Sequence, residues 1–191
     1  MVRFCAWIEP ALIYEWQKLM HAYAATQGRT LDYATIDAAM QWYDPTRTVA
    51  PAKLRAESFL ARGAPVYCVW SGKRLHGDIL DIDHVFPWVA KPCGDMWNLV
   101  PAARAINQHE KRDRLVSAPL LDRAADRLYA WWDAAYLHDE NSATPQRFFA
   151  EAKTSLAISE TTIRALLLGM HQLRLQLRQN QQIPEWLGPK S

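Results

Sequence analysis

The sequence predicts an α+β chain, mostly α-helical, with a small two-stranded hairpin set between helical segments. Apolar residues recur at helical spacing along most of its 191 residues, and the spacing breaks between Ala64 and Pro92, where two short β-prone runs flank a Gly-containing turn. With 50% hydrophobic and 22% charged residues, the composition is that of a globular chain and excludes a disordered or fibrous one.

Residues 9 to 27 are predicted as the first helix. Pro10 suits a first turn, Leu12, Trp16, Leu19 and Tyr23 recur at helical spacing, and Gly28 stands where a C-terminal cap belongs. A second helix is expected over 33 to 43, capped by Asp32, with Ile36, Met40 and Tyr43 on one face and the Asp44-Pro45 step ending it. A third follows Pro51 and stops at Gly63. All three read as scaffold. The hairpin is expected to pair Val66–Trp70 with Ile79–Ile82. Helical character returns from about Pro101 through Arg112, and Ser117 and Pro119 then open a longer helix with Leu121, Ala124, Leu128, Trp131 and Ala135 on one face. Two more helices are predicted, Pro145–Leu156 behind Thr144 and Glu160–Gln181 behind Ser159, with the last ten residues a frayed tail. The expected organisation is therefore an N-terminal helical segment (1–63), a core (64–117), C-terminal helices (118–182) and a tail (183–191).

Lys and Arg number 22 against 20 Asp and Glu, so no global field announces a polyanion partner and any such site must be local. No stretch approaches the roughly 18 unbroken apolar residues of a membrane span, and the N-terminus lacks the apolar region of a secretory signal. A cytoplasmic chain with no membrane partner is expected. Cys5, Cys68 and Cys93 lie far apart with no CxxC pair, which argues against a disulfide framework and a four-cysteine zinc site.

The informative segment is residues 81–115, DIDHVFPWVAKPCGDMWNLVPAARAINQHEKRDRL. Asp83-His84 ends the second predicted strand, Asn98 follows fourteen residues after the histidine, and Asn107 nine residues later on the following helix. In this order, on a strand, a loop and a helix, these residues closely resemble the HNH endonuclease family, whose ββα-metal fold occurs in colicin DNases and RNA-guided CRISPR effectors. The resemblance covers roughly residues 66–115, about a quarter of the chain. It makes residues 64–117 an HNH nuclease core and implies metal-dependent hydrolysis of DNA phosphodiesters to 5′-phosphate and 3′-hydroxyl ends.

That chemistry needs a water made nucleophilic at neutral pH, and the neutral imidazole of His84 is suited to take its proton. A single divalent cation must also stabilise the phosphorane and the departing oxygen; Asp83 and Asn107 offer hard oxygen ligands suited to Mg²⁺ or Mn²⁺. The resemblance gives Asn98 a positioning role, its amide bonding the loop backbone after His84. On an α-helix Arg104, Asn107 and Lys111 share a face while His109 points away, so Lys111 is expected to contact a phosphate and Glu110 is a weaker candidate ligand. Where many relatives carry two CxxC pairs around zinc, this chain has Cys68, Ser71, Ala103 and Ile106. No structural zinc is expected, with Val66, Val69, Ala103 and Ile106 packing in its place and Cys68 and Cys93 as plain buried thiols.

Lys73 and Arg74 in the hairpin turn, together with Arg104, Lys111, Arg112 and Arg114, are the candidate DNA contacts, weighed against being solvated faces. Trp88 and Trp97 bracket the loop and are expected to anchor it rather than stack on a base. Ile163, Leu167, Met170, Leu173 and Leu177 form a near-heptad stripe that favours core packing over a homodimer or partner protein docked through the C-terminal helices. Two other functions stay open: a nuclease-like module that binds nucleic acid without cutting, and an interaction subunit of a larger nuclease or defence assembly.

Overall fold

The computed structural model describes residues 5–40, 46–138 and 142–189. The chain divides into two compact units, Met1–Asp44 and Pro45–Ser191.

In the first unit α1 (Cys5–Thr26) precedes α2 (Tyr33–Met40). Asp32 caps α2: its carboxylate accepts the Thr35 N–H at 2.6 Å and the Thr35 hydroxyl at 2.9 Å, and these bonds hold its carboxyl below the usual value. α1 begins before the expected start, so Pro10 lies inside the helix rather than in its first turn. Its buried side chains include Gln17 and Ala24, whereas Leu12, Trp16, Leu19 and Tyr23, one position round, are exposed. Of the second helix's expected extent, residues 41–43 lie outside the described residues.

The second unit opens with α3 (Ala50–Ala61), which buries Ala52 and Ala56. Among the described residues, three two-stranded pairs follow rather than one hairpin. β1 (Val66–Tyr67) pairs with β2 (Arg74–Leu75), because Gly72 at φ +71° turns the chain back at once and Cys68 N–H bonds Lys73 O. The expected partner of the second run is therefore different. β3 (Leu80–His84) pairs antiparallel with β4 (Leu99–Ala103), with Asp83 opposite Val100 and His84 opposite Leu99. β4 begins where a helix was expected. Pro101 fits it because its nitrogen and carbonyl face away from β3, the carbonyl accepting Val69 N–H at 3.0 Å, so the missing proton breaks no β3 bond.

After β4, Ile106–Lys111 winds as a π-helical turn closed by Arg112 N–H to Asn107 O, five residues apart, at 2.9 Å. β5 (Leu115–Val116) leads to α4 (Ala118–Trp132), which continues as a second π-helical turn through Leu137. α4 is amphipathic and covers the hairpin. Its Trp131 and Trp132 indoles donate to Leu99 O and Trp97 O, and Arg127 Nε donates to Val69 O, so one helix satisfies carbonyls of β4, of the turn before it and of the turn after β1. α5 (Thr144–Leu156) and α6 (Ile163–Gln181) pack against each other, and α6 starts later than expected because Thr162, not Ser159, caps it. Leu166, Met170 and Leu177 are buried within the chain. The expected frayed tail instead contains β6 (Glu185–Trp186), parallel to β5, with Trp186 buried edge-on against Trp70 at 5.8 Å.

Helices thus dominate, small sheets complete an α+β fold, and no helix among the described residues is long and apolar enough to cross a membrane.

Candidate functional site

An open cleft of about 480 Å³ lies over the end of the β3–β4 hairpin. Its lining includes Asp81, Asp83, His84, Trp88, Asn107 and two arginines, Arg47 and Arg112. The fold brings Asp83, His84, Asn107 and Arg112 together here. Lys73, Arg74, Arg104 and Arg114 are not part of the lining; Lys73 faces a different groove, together with Glu110.

His84 is 5% exposed, and its Nε2 has no hydrogen-bond partner among the described residues. Its ring meets Trp88 edge-on at 5.5 Å, so Trp88 braces the imidazole while Trp97, fully buried, anchors the loop. Burial first, then the positive charges of Arg47 and Lys111, push the imidazole down to about 4. It is therefore neutral at physiological pH, the state in which Nε2 can accept a proton.

Asn98 is completely buried beneath the loop that follows His84. Its Oδ1 accepts Phe86 N–H at 2.9 Å, and its Nδ2 donates to Cys93 O at 2.9 Å and Phe86 O at 3.4 Å. The backbone ladder continues through Val85 N–H to Asn98 O at 2.8 Å. One amide thereby fixes both ends of the loop whose first residue is the histidine's neighbour. Asn98 lies outside the cleft lining and reaches the imidazole only through that backbone.

Lys111 contradicts its expected role as a phosphate contact. It is 0% exposed; its Nζ donates to Asp83 Oδ1 at 3.1 Å and to His84 O at 2.6 Å, and it lies over the Trp70 ring at 5.8 Å. Asn107 and Lys111 both reach β3, as a shared face requires, but the Asp83 carboxylate and the His84 carbonyl hold Lys111 inward, away from the cleft. Asp83 is correspondingly enclosed: its second oxygen accepts the Trp70 indole N–H at 2.7 Å. Burial raises the Asp83 carboxyl, and the Lys111 ammonium and Trp70 oppose that rise.

This arrangement bears on the metal that the resemblance implies. A cation on Asp83 would share the carboxylate with a fixed ammonium, and two unit charges about 4 Å apart repel by about 4 kcal/mol at an effective dielectric constant of about 20, a dication by twice that. Asp83 does not fit the role of a free ligand. Asn107 does face the cleft; its Nδ2 donates to Asp81 Oδ2 at 3.0 Å and to Ile82 O at 3.3 Å. Among the described residues no three His, Cys, Asp or Glu side chains converge as a metal cage.

Asp81, Trp70, Gln108 and Arg47 are site residues that sequence reasoning missed. Asp81 carried a signal, since residues two apart on a strand share a face. Arg47 and Trp70 carried none, because they reach the site only through tertiary packing. At the four zinc-knuckle positions Cys68 is fully buried, while Ser71, Ala103 and Ile106 line one groove together. Val66, Val69 and Ile106 are buried, and Ala103 packs half-buried against the core. No family model, no curated protein and no solved structure matches the chain.

Proposed function

We propose that the chain is an HNH-type endonuclease that hydrolyses DNA phosphodiesters in this cleft with His84 as general base. The observation that carries this reading is the buried, neutral, unpartnered Nε2 of His84 in a cleft that also presents Arg47 and Arg112. A buried ring nitrogen without a partner is rare unless a ligand or water uses it. The convergence of Ser71, Ala103 and Ile106 in one groove is a second support, since that is where the resemblance would set a zinc knuckle.

In the reaction a water held at Nε2 loses its proton to the imidazole as its oxygen attacks phosphorus. The bond to the 3′ oxygen breaks, leaving 5′-phosphate and, once the leaving oxygen is protonated from solvent, 3′-hydroxyl. Arg47 and Arg112 hold phosphate oxygens and offset the growing negative charge. Lys111 and Asn98 keep the base oriented. A divalent cation, Mg²⁺ or Mn²⁺, would supply further charge stabilisation when bound. The expected outcome is nicking of supercoiled plasmid with Mg²⁺ or Mn²⁺, arrest by EDTA, and nicks that polynucleotide ligase reseals. A chain that binds the plasmid but never nicks it sinks this proposal and favours the non-cutting binding module, for which the enclosed Asp83 speaks.

A further inference from the structure

Asp81 and Asp83 project from alternate residues of the same strand, yet their surroundings are opposite. Asp83 is sealed and paired inward with an ammonium and an indole. Asp81 is half-buried on the cleft wall, and each of its hydrogen-bond donors is neutral. Its Oδ1 takes the Ile82 N–H at 2.9 Å, and its Oδ2 takes Asn107 Nδ2 at 3.0 Å and Gln108 Nε2 at 3.1 Å. Among the described residues Asp81 makes no ion pair.

We propose that the divalent cation of this cleft is held by Asp81 and Asn107, and that Asp83 is instead the fixed counter-ion of Lys111. The proposal rests on the nuclease reading above for its purpose, but its evidence is the donor chemistry. A carboxylate oxygen offers two lone-pair directions, so Asp81 Oδ1, with one donor, keeps one for a cation. Asn107 Oδ1 accepts no hydrogen bond among the described residues, and its amide is already oriented by Asp81 and Ile82. Two hard oxygens suffice for a hexacoordinate Mg²⁺ or Mn²⁺, which retains waters and takes phosphate oxygens from its substrate. His84 lines the same cleft, and its buried Nε2, without a partner among the described residues, is the acceptor for a water's proton. Asp113, also in the lining, adds negative charge without a sealed partner. Lys111 then acts as a positioning residue: tethered by Asp83, it holds the His84 carbonyl.

Binding of Mn²⁺ alone to the full chain, followed by the loss of its free-ion paramagnetic resonance signal, tests this. Saturable binding by the wild type is expected, with affinity lowered about tenfold or more in Asp81→Asn and Asn107→Ala. Asp83→Asn alone leaves Lys111 buried and unpaired, so the informative variant is the neutral pair Asp83→Asn/Lys111→Met, which should bind Mn²⁺ like the wild type. Circular dichroism establishes that each variant is folded. Wild-type affinity in Asp81→Asn, loss of binding in the folded neutral pair, or no saturable binding by the wild type overturns the proposal. Because this titration contains no DNA, it judges the ligands separately from plasmid nicking, which judges the nuclease reading.

Discussion

At His84, burial keeps the imidazole neutral. The imidazole titrates at about 4 in the folded chain and near its ordinary 6.5 when unfolded. Between those values the unfolded state binds the extra proton, so stability should be fully present above pH 6.5 and fall as pH drops toward 4. Urea unfolding at pH 7 and at pH 4.5 checks the sign: the wild type should lose more stability than His84→Gln, and equal losses would mean that the ring is not sealed. Asn98 offers a different test. Truncation to Ala strands loop groups that its amide satisfies, and an unsatisfied buried group costs about 1–3 kcal/mol, so Asn98→Ala should lower the urea midpoint and weaken cleavage by loosening His84. The spacing of Asp83, His84, Asn98 and Asn107 was legible because each sits near a strand end, loop or turn whose register the sequence sets locally. The burial of Lys111 was not, since Asp83, the His84 carbonyl and the Trp70 ring meet it only through tertiary packing.

Among the elements, that turn also strains its exit. Arg112 adopts φ +53° and ψ −128°, a conformation that favours glycine, while its side chain lines the cleft. Arg112→Gly should therefore raise the melting temperature, by an amount equivalent to about 1 kcal/mol, yet weaken DNA binding. Stability and affinity falling together would refute the strain. The α5–α6 contact gives a prediction of opposite sign. A Cβ at Gly169 would stand 2.7 Å from Ile158 Cγ2 and 2.9 Å from Leu156 Cβ, so Gly169→Ala should destabilise by about 1–3 kcal/mol despite alanine's better helix propensity. Helices α4, α5 and α6 were readable because apolar periodicity is local, but their caps were not: Ser117 makes no capping hydrogen bond, Thr144 lies inside α5 rather than before it, and Thr162 stands in for Ser159. Strand pairing was not: β4 was masked by Pro101, whose fit depends on which way its nitrogen faces, and β6 is only two residues long and pairs with β5 some seventy residues earlier.

For the whole molecule, a net charge of +2 means that the DNA contact proposed above would rest on a few cations around one cleft. Arg47→Gln and Arg112→Gln should each flatten the dependence of log K on log salt by roughly one unit, whereas Lys111, buried in its pair with Asp83, should contribute nothing to that slope. A flattened slope in Asp83→Asn/Lys111→Met would place Lys111 on the phosphates after all. Apolar periodicity spoke truly about class, since an α+β chain is what formed. It could not reveal how α4 and the C-terminal strand close over the hairpin, because those contacts join residues remote in sequence. The role of His84 is tested most directly by the single-turnover cleavage rate of a DNA duplex with Mn²⁺, compared between wild type and His84→Ala with DNA affinity measured alongside. With His84 as general base, the rate should fall by about 10² to 10⁴ at unchanged affinity; equal rates for the two proteins would remove His84 from that role.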